Sequence, residues 1–337
     1  TTIFVWVGVL LAAFALNATI LEDGLTTKFV FTNNPESTAG YELLEDRLRG
    51  EIGTSEVVVF QSESLTVDDP AFREAVDAVT EDLAALGPGV IRPETLFSYY
   101  RTGAEPLVSQ DRRTTIVSFT MAGDFDSASD NIDRVVEVVG EHRSKEDVKV
   151  LMTGQATLGR DFREVADEAL RTGEMFGVPI ALVILVLVFE AVAAALVPLL
   201  LAGISILVAL GAAALLGQVF QLSFFVTNMI TMIGLAVGID YSLFVVARYR
   251  EERTNGRDKA EAIARSGATA GRAVFFSGMT VVLALFGLLL VPSNVMISLG
   301  VGASFVVVAS VLASMTLLPA ILNLVGDRVN MLSIPWF

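Results

Sequence analysis

Hydrophobic residues are concentrated in long runs that carry no charge. Residues 1–21 contain no charged side chain, and the same holds for the 49 residues 191–239 and the 54 residues 273–326. About 20 mostly apolar residues cross the hydrocarbon of a bilayer as a helix. The two longest runs therefore predict two helices each, and both contain a polar break at which the chain can turn. These breaks are residues 217–223 (GQVFQLS) and 292–294 (PSN).

A shorter apolar stretch, residues 175–189, decides the number of spans. It has only 15 residues between Glu174 and Glu190. Counting it as a span gives six transmembrane helices, with the basic segment 248–272 in the cytoplasm and the acidic segment 22–174 outside, as the positive-inside rule favours. If residues 175–189 do not span the membrane, the basic segment and the acidic segment both lie outside. We therefore predict six spans, the second of which continues outward as a helix of the external domain.

Residues 22–174 alternate strand patterns with helix patterns, which predicts a folded external domain and an α+β membrane protein as the fold class. The order strand, helix, strand, strand, helix, strand predicts a ferredoxin-like (βαββαβ) domain between spans 1 and 2. The predicted strands are residues 56–60, 96–100, 114–121 and 148–153. The predicted helices are residues 41–49, 70–86 (with Asp68 and Asp69 as candidate caps) and 126–139.

Composition and charge agree with a membrane protein and exclude other classes. Hydrophobic residues make up 53% of the chain, the mean hydropathy is +0.63 and the net charge is -15, which excludes a soluble enzyme and a disordered chain. Residues 22–174 carry 31 acids and 15 bases, a surface unsuited to nucleic acid. Residues 248–272 carry 7 bases and 4 acids and predict an amphipathic helix on the cytoplasmic face, or a simple positive-inside anchor.

Residue types for catalysis or metal binding are scarce. The chain has no cysteine and one histidine, so we expect no thiol or histidine-metal site. His142 lies among charges near the end of the helix predicted at 126–139, and we interpret it as solvated or as facing the helix C-terminus. No set of nucleophile, base and acid is visible. We therefore expect neither an enzyme nor a bound cofactor or metal.

One acidic residue lies deep within an apolar span. Asp240 precedes Ala247, the end of the fourth predicted span (residues 222–247), by seven residues, or about 10 Å along a helix. A carboxylate near the centre of a span costs about 2.5–3.5 kcal/mol on insertion scales, so that an intramembrane acid predicts a functional site, commonly a proton relay. The alternative is a permanently neutral side chain that only assists helix assembly.

The residues near Asp240 fit a proton pathway. Burial favours the protonated form of a carboxyl group, which allows proton binding and release near neutral pH, and Tyr241 offers a hydroxyl for hydrogen bonding or relay. Gly234 and Gly238 allow close approach of another helix, and simple packing is enough to explain them. Glu190 falls at the turn between spans two and three and is interpreted as interfacial and solvated. Three further polar residues outline either a wet path or interhelical contacts: Thr227, Asn228 and Thr231.

Residues 234–253 (GLAVGIDYSLFVVARYREER) resemble the fourth span of the MMPL family, in the resistance-nodulation-division (RND) superfamily of transporters. The glycine-rich approach, the Asp-Tyr pair and the Arg-Tyr-Arg-Glu-Glu exit all match. Shorter similar pieces occur at residues 153–156 (TGQA), 318–320 (LPA) and 334–336 (IPW). The arrangement of one span, an external domain and five further spans is similar to one half of such a transporter.

The resemblance implies a proton-driven exporter of lipids or other hydrophobic molecules in the cell (inner or plasma) membrane. Residues 22–174 would be its extracytoplasmic porter domain and residues 327–337 a cytoplasmic tail, while Asp240 and Tyr241 map onto the proton relay of the family. Family members have two such halves, whereas this chain has one Asp-Tyr helix. A partner is therefore implied, either a second half outside this sequence or a second copy whose Asp240 faces the first.

Two other functions stay open from the sequence. A protein-export accessory of the SecD/SecF type has a similar number of spans in a half-size chain, but the Asp-Tyr pair followed by Arg-Tyr-Arg-Glu-Glu disfavours it. A non-transporting sensor or scaffold would bind a sterol-like lipid, and spans two to six resemble the sterol-sensing domain of eukaryotic relatives. The substitution Asp240→Asn separates the two classes, because it would leave a sensor intact and disable a proton-driven transporter.

Overall fold

The structure, a computed structural model, describes residues 1–49, 53–143, 147–326 and 328. Apart from residue 328, the predicted tail 327–337 lies outside the described residues, and so does the IPW piece. The chain divides into two compact units. One unit is Asn34–Val165, and the other is Thr1–Asn33 together with Ala166–Phe337.

Among the described residues most belong to helices, and six strands accompany them. The helices are α1 (Thr2–Ile20), α2 (Glu36–Leu44), α3 (Pro70–Ala85), α4 (Tyr99–Thr102), α5 (Phe125–Glu141), α6 (Gln155–Phe189), α7 (Val192–Gly217), α8 (Phe225–Thr254), α9 (Lys259–Ser266), α10 (Arg272–Leu285), α11 (Asn294–Leu312) and α12 (Leu318–Val325). The strands are β1 (Leu25–Thr26), β2 (Ser55–Ser62), β3 (Ile91–Ser98), β4 (Thr114–Met121), β5 (Val148–Gly154) and β6 (Leu222–Ser223).

Six helical segments among the described residues are long and apolar enough to cross a membrane, which confirms the predicted number. They are α1, α6, α7, α8, the pair α9–α10 (Lys259–Leu290) and the pair α11–α12 (Asn294–Val325). The predicted break at 217–223 separates α7 from α8, and the break at 292–294 separates α10 from α11. The short stretch 175–189 is the end of α6, a single helix of 35 residues.

The segment after α1 is paired with the connections between later spans. β1 lies parallel to β6, with Leu25 opposite Leu222. The Asn294 side chain accepts a hydrogen bond from the Val30 N–H (2.9 Å) and donates one to the Lys28 carbonyl (2.8 Å). These bonds fix the C-terminal end of α1 to the starts of α8 and α11.

The basic segment 248–272 is not one amphipathic helix, and this prediction was wrong. α8 continues to Thr254, and the chain then turns at Asn255 and Gly256, where Gly256 has a φ of 82°. α9 begins after this turn, at Lys259. Asn-Gly is a common turn sequence because glycine adopts a positive φ without strain. The helical pattern therefore ends there.

The unit Asn34–Val165 contains a four-stranded antiparallel sheet with the strand order β3-β4-β2-β5. Alternate strand residues, such as Val58 and Phe60 of β2, pack against buried residues of α3 and α5. β2, β4 and β5 lie where strands were predicted. Of the strand predicted at 96–100, residues 96–98 are the end of the longer β3, and residues 99–100 begin α4 instead. The helix predicted at 41–49 begins earlier, as α2, and a turn of π-helix occupies Glu45–Arg49.

A buried carboxylate on β2 caps the first turn of α6. Glu56 is fully buried and lies opposite Gly154 of β5. Its carboxylate accepts hydrogen bonds from the Ala156 N–H (2.8 Å), the Thr157 N–H (3.4 Å) and the Thr157 hydroxyl. A Cβ on Gly154 would overlap this carboxylate, which explains the glycine of the TGQA piece. Burial raises the pKa of the Glu56 carboxyl, and the three hydrogen bonds offset only part of this effect.

The two candidate caps of α3 have different roles. Asp69 is the N-cap residue, but its carboxylate accepts hydrogen bonds from the Thr66 N–H (2.7 Å) and hydroxyl (2.9 Å) instead of from the helix. Asp68 does not cap the helix. It pairs with Arg112 at 2.7 Å, and this hydrogen bond lowers the pKa of the Asp68 carboxyl.

His142 is buried, so of its two interpretations the solvated one was wrong, and the one that places it at the C-terminus of a helix is confirmed. It is the C-cap residue of α5, and its Nε2 lies 2.8 Å from Asp82 Oδ2 of α3. The partner lies 60 residues earlier in the chain. A local pattern of charges gives no sign of such a contact.

Candidate functional site

α8 places Asp240 within its apolar length. The apolar part of this helix extends from Phe225 to Ala247, which is about 33 Å at 1.5 Å per residue. Asp240 lies about 22 Å from the start of this part and about 10 Å from its end. Since the hydrocarbon core of a bilayer is about 30 Å thick, the carboxylate lies at hydrocarbon depth.

Asp240 belongs to an exposed stripe of α8. Met232, Ala236 and Phe244 follow one another at intervals of one helical turn with Asp240 and are exposed like it; Met232 is 65% and Phe244 is 61% exposed. In the described part of the chain, the Asp240 carboxylate has neither a hydrogen bond nor an ion pair. A bare carboxylate is unfavourable in hydrocarbon. The carboxylate therefore requires water or a polar partner, although the other residues of the stripe are apolar.

Tyr241 points away from the stripe. Consecutive residues of a helix are about 100° apart around its axis, and Tyr241 is buried among the membrane helices. Its hydroxyl oxygen lies 3.5 Å from the position of a Cβ on Gly278 of α10. Among the described residues, no hydrogen bond joins Asp240 and Tyr241. The two side chains are neighbours in sequence but face different surroundings.

The two glycines of the predicted site lie on the side of α8 that packs within the chain. A Cβ on Gly238 would be 2.7 Å from Ala202 Cα of α7, and a Cβ on Gly234 would be 2.8 Å from Val306 Cγ2 of α11. Such short distances leave room only for glycine. Gly238 lies about 200° around the helix from Asp240. α7 and α11 therefore pack against the side of α8 that is opposite the Asp240 carboxylate.

The three polar residues of the predicted path lie near the start of α8. Asn228 is half-buried and lies about 18 Å along the helix from Asp240 and about 120° around it. The hydroxyls of Thr227 and Thr231 donate to the carbonyls of Phe224 and Thr227, each at 2.9 Å. Every residue of α8 between Thr231 and Asp240 is apolar. A continuous path from these residues to Asp240 therefore requires water or groups from elsewhere.

A buried ion pair joins the end of α8 to α9, and the sequence analysis missed it. The Glu252 side chain is 2% exposed, and its oxygens lie 2.6 Å from Arg248 Nη2 and 2.5 Å from Arg257 Nε. Arg257 also pairs with Glu261 at 3.2 Å. The spacing of four residues between Arg248 and Glu252 was the available signal, because side chains at this spacing are neighbours on a helix.

The sequence of the chain is similar to known membrane proteins. It matches the MMPL family over residues 30–334. The membrane protein SCO6666 of Streptomyces coelicolor is 36% identical over 273 residues, which cover 79% of this chain and 37% of that protein. The mycolic acid-containing lipids exporter MmpL11 of Mycolicibacterium smegmatis is 40% identical over 179 residues, 53% of this chain and 19% of the exporter. The trehalose monomycolate exporter MmpL3 of the same organism is 30% identical over 322 residues, 91% of this chain and 31% of that exporter.

This chain spans at most 37% of the length of these relatives in the matched regions. Among solved structures, the translocon-associated membrane protein SecDF of Thermus thermophilus is similar over 97% of this chain and 38% of its own, with a TM-score of 0.50 and 16% identity. At this identity the likeness concerns the fold alone. The six apolar helices and the membrane-protein relatives show a multi-pass membrane protein. Because the family match covers most of its length, the chain belongs to the MMPL family.

Proposed function

We propose that this chain is one half of a transporter that exports a lipid or another hydrophobic molecule and is driven by the proton motive force. The observation that carries the proposal is the exposed Asp240, which lies at hydrocarbon depth in a member of the MMPL family. A carboxylate in this place is costly, and binding and releasing a proton is the chemistry open to it. Tyr241 would assist from its place against α10.

The substrate class and the direction of transport rest on the relatives. MmpL11 and MmpL3 of Mycolicibacterium smegmatis are named as exporters of mycolic acid-containing lipids and of trehalose monomycolate, whereas MmpL11 of Mycobacterium tuberculosis is named as a heme uptake protein. We propose export, the direction that both M. smegmatis names give. A hydrophobic substrate also suits a chain whose long apolar runs, residues 1–21, 191–239 and 273–326, carry no charge. Since the sequence offers no set of nucleophile, base and acid, we propose a transporter and not an enzyme.

The proposed relay needs a surface that faces Asp240. A second set of spans would cover the exposed stripe of α8 and provide a partner for the carboxylate. That set would come from a second half of a longer protein or from a second copy of this chain.

The unit Asn34–Val165 is proposed to be a ferredoxin-like porter domain on the extracytoplasmic side. Its strands and two long helices follow in the order β2, α3, β3, β4, α5, β5, and its antiparallel sheet has the strand order β3-β4-β2-β5, which supports this fold. The acidic charge of residues 22–174 and the basic charge of residues 248–272 support opposite sides of the membrane. The SecD/SecF alternative has only the likeness of fold in its favour.

Proton flux tests the proposal directly. The chain is reconstituted in vesicles with a pH-sensitive dye inside, and a pH gradient is imposed on wild type, Asp240→Asn and Glu190→Gln. Glu190 is the matched control, because it is an exposed carboxylate at the turn between α6 and α7. We expect flux in wild type and in Glu190→Gln and none in Asp240→Asn. Equal flux in all three would refute the relay. No flux in any of them would refute a pump made of this chain alone, and is the result expected of a lipid sensor or of a half that needs a different second half.

The absence of cysteine from the chain makes the facing surface testable by disulfide formation. A single cysteine is introduced on the stripe as Ala236→Cys and, as a control, on α7 as Leu196→Cys, which is also exposed. Disulfide-linked dimers of the first variant alone would identify a second copy as the partner. Equal amounts of dimer from both variants would show that the contact is not specific to the stripe.

A further inference from the structure

Arg272 differs from the other bases of the segment 248–272. Three of these pair with acidic side chains and three donate to main-chain carbonyls: Arg248, Arg257 and Arg265 form the first group, and Arg250, Arg253 and Lys259 form the second. In the described part of the chain, the Arg272 guanidinium has neither a hydrogen bond nor an ion pair. It lies over the ring of Phe276, with Cζ 5.6 Å from the ring centre. Its charge is therefore open to a partner from outside the chain.

Arg272 lies at the boundary between the hydrocarbon and the lipid headgroups. It is exposed, and the charge-free run 273–326 begins with the next residue. The headgroup layer adds about 5–8 Å to each side of the hydrocarbon core, and an arginine places its charged group at this level while its stem contacts hydrocarbon. The anions of this layer are phosphate groups. A lipid phosphate is therefore the partner that this position offers to Arg272.

The side of α10 that continues from Arg272 into the membrane is exposed and apolar. Phe276, Met279 and Leu283 lie within about 40° of Arg272 around the helix axis, and all three are exposed. Together with Arg272 they form what we call the α10 face. Leu283 lies about 16 Å along the helix from Arg272, close to the depth of the hydrocarbon in one leaflet, about 15 Å. The α10 face therefore has the length of one acyl chain beneath its headgroup.

The sizes of these side chains favour a lipid over another helix. Helices in membranes pack closely through small residues, and this chain does the same, since a Cβ on Gly238 would be 2.7 Å from Ala202 Cα. The glycine of α10, Gly278, lies about 120° around the axis from Arg272, where its Cβ would overlap Val311 of α11. The α10 face carries only large side chains. An acyl chain can follow such a surface, whereas a helix cannot approach it closely.

We propose that the α10 face binds an anionic phospholipid, with the phosphate on Arg272 and an acyl chain along the apolar residues of the face. A guanidinium donates two parallel hydrogen bonds to a phosphate, and stacking on Phe276 holds it on the lipid-facing side. Residues 248–272 carry 7 bases and 4 acids, which favours a lipid with a net negative charge over one whose own ammonium group neutralises its phosphate. The site involves neither Asp240 nor the proposed proton relay, so that either proposal can fail without the other.

Photolabelling within a bilayer tests the site. The chain is reconstituted in phosphatidylcholine vesicles that contain a trace of a lipid with a diazirine on one acyl chain, either phosphatidylglycerol or phosphatidylcholine, and mass spectrometry of peptides maps the adducts. The measured quantity is the ratio of phosphatidylglycerol adducts to phosphatidylcholine adducts on residues 275–283. The same ratio on Leu196 and Leu200 is the reference, because these exposed α7 residues lie at a similar distance from the start of their helix, in a run without charge.

Arg272→Gln is the test variant and Arg265→Gln is its matched control. Arg265 is an exposed arginine of the same segment, so its loss changes the net charge equally, but it is already paired with Glu261. In wild type the ratio on α10 should be about fivefold above the reference. Arg272→Gln should lower it to the reference, whereas Arg265→Gln should leave it well above. Arg272→Lys should give an intermediate ratio, because lysine keeps the charge without the planar fork.

Equal ratios on α10 and α7 in wild type would overturn the proposal. An equal loss in Arg272→Gln and Arg265→Gln would also overturn it, because it would show a general effect of charge. Excess inorganic phosphate at constant ionic strength distinguishes a lipid headgroup from free phosphate. It should not displace the probe, since it has no acyl chain to lie along the α10 face, and displacement would overturn the assignment to a lipid.

Discussion

The contact between Glu56 and Gly154 allows a quantitative test of how the sheet holds the start of α6. Glu56→Ala removes the acceptor of three buried donors. Each donor left without a partner costs about 1–3 kcal/mol, and part of this loss is recovered because burying the carboxyl group is itself unfavourable. We therefore expect Glu56→Ala to lower the local free energy of unfolding by about 2–3 kcal/mol.

Gly154→Ala should also destabilise the sheet, because its Cβ would overlap the Glu56 carboxylate. Overpacking of this kind costs about 1–3 kcal/mol. In the double variant the new methyl group occupies space that the carboxylate has left. The double variant should therefore lose less free energy of unfolding than the two single variants lose together, and the difference, the coupling energy, should be about 1–2 kcal/mol.

Hydrogen exchange of the full chain in detergent micelles, read by mass spectrometry, measures these local free energies. Peptides that cover β2 and β5 report the effect, and peptides of α10 serve as an internal reference. Gly140→Ala is the control substitution, because Gly140 is an exposed residue of α5 where a Cβ meets no atom within 4 Å. Full additivity of Glu56→Ala and Gly154→Ala would refute the steric and hydrogen-bonding account of this junction.

The effect of Glu56→Ala on stability should depend on pH. Burial raises the pKa of the Glu56 carboxyl above its usual value of 4.5 in the folded state. The contribution of this group to stability is therefore complete below pH 4.5 and is lost as the pH rises through the folded-state pKa. The cost of Glu56→Ala should accordingly be largest in acid and shrink towards neutral pH. A cost that grows with pH would show that the hydrogen bonds outweigh burial.

Three further predictions concern other parts of the chain. Gly238→Leu should lower the melting temperature in detergent strongly, because a Cβ there meets the backbone of α7, whereas Ala236→Leu on the exposed stripe should not. Glu252→Gln should lower the free energy of unfolding, measured by thermal unfolding, by about 2 kcal/mol. Breaking a fully buried pair costs about 3–5 kcal/mol, and the cost is smaller here because the side chains of Arg248 and Arg257 are 36% and 29% exposed. Tyr100→Phe should cost about 1 kcal/mol in denaturant unfolding through the lost hydrogen bond to the Val67 carbonyl, and it should remove from the ultraviolet titration the phenol whose pKa burial raises to about 12.

The elements that a local pattern predicts well are those with an unbroken hydrophobic period. β4 begins and ends with its alternation, at Thr114 and Met121. In β3 the pairing with β4 shifts register between Arg92 and Phe97, and Pro93 lies in this interval, so that the pattern indicates only the end of the strand. The lengths of the apolar runs predict five of the six spans, because the thickness of a bilayer sets the length of a helix directly. The second span, with only 15 apolar residues, follows from the positive-inside rule instead.

Polar contacts between distant segments are the part that local patterns do not predict. Glu56 shares the two-residue period of the buried Val58 and Phe60, which was the one sign of its burial, but its hydrogen-bond partners lie 100 residues further on. The depth of Asp240 follows from counting along an apolar run. The direction in which the Asp240 side chain points cannot be found by counting, because it depends on which face of α8 packs against α7 and α11.

The attachment of α1 also has a mechanical consequence. The C-terminal end of this helix is fixed by the pairing of β1 with β6 and by the Asn294 side chain, whereas its N-terminal part is held by side-chain contacts such as that of Trp6. A tilt of α1 about its C-terminal end would therefore act on the Trp6 contact at the other end. Over the length of α1, about 28 Å, a tilt of about 5° would displace its N-terminal end by about 2.5 Å. A displacement of this size would separate the donor and the acceptor of the hydrogen bond to Thr316, so that this bond restrains the tilt of α1.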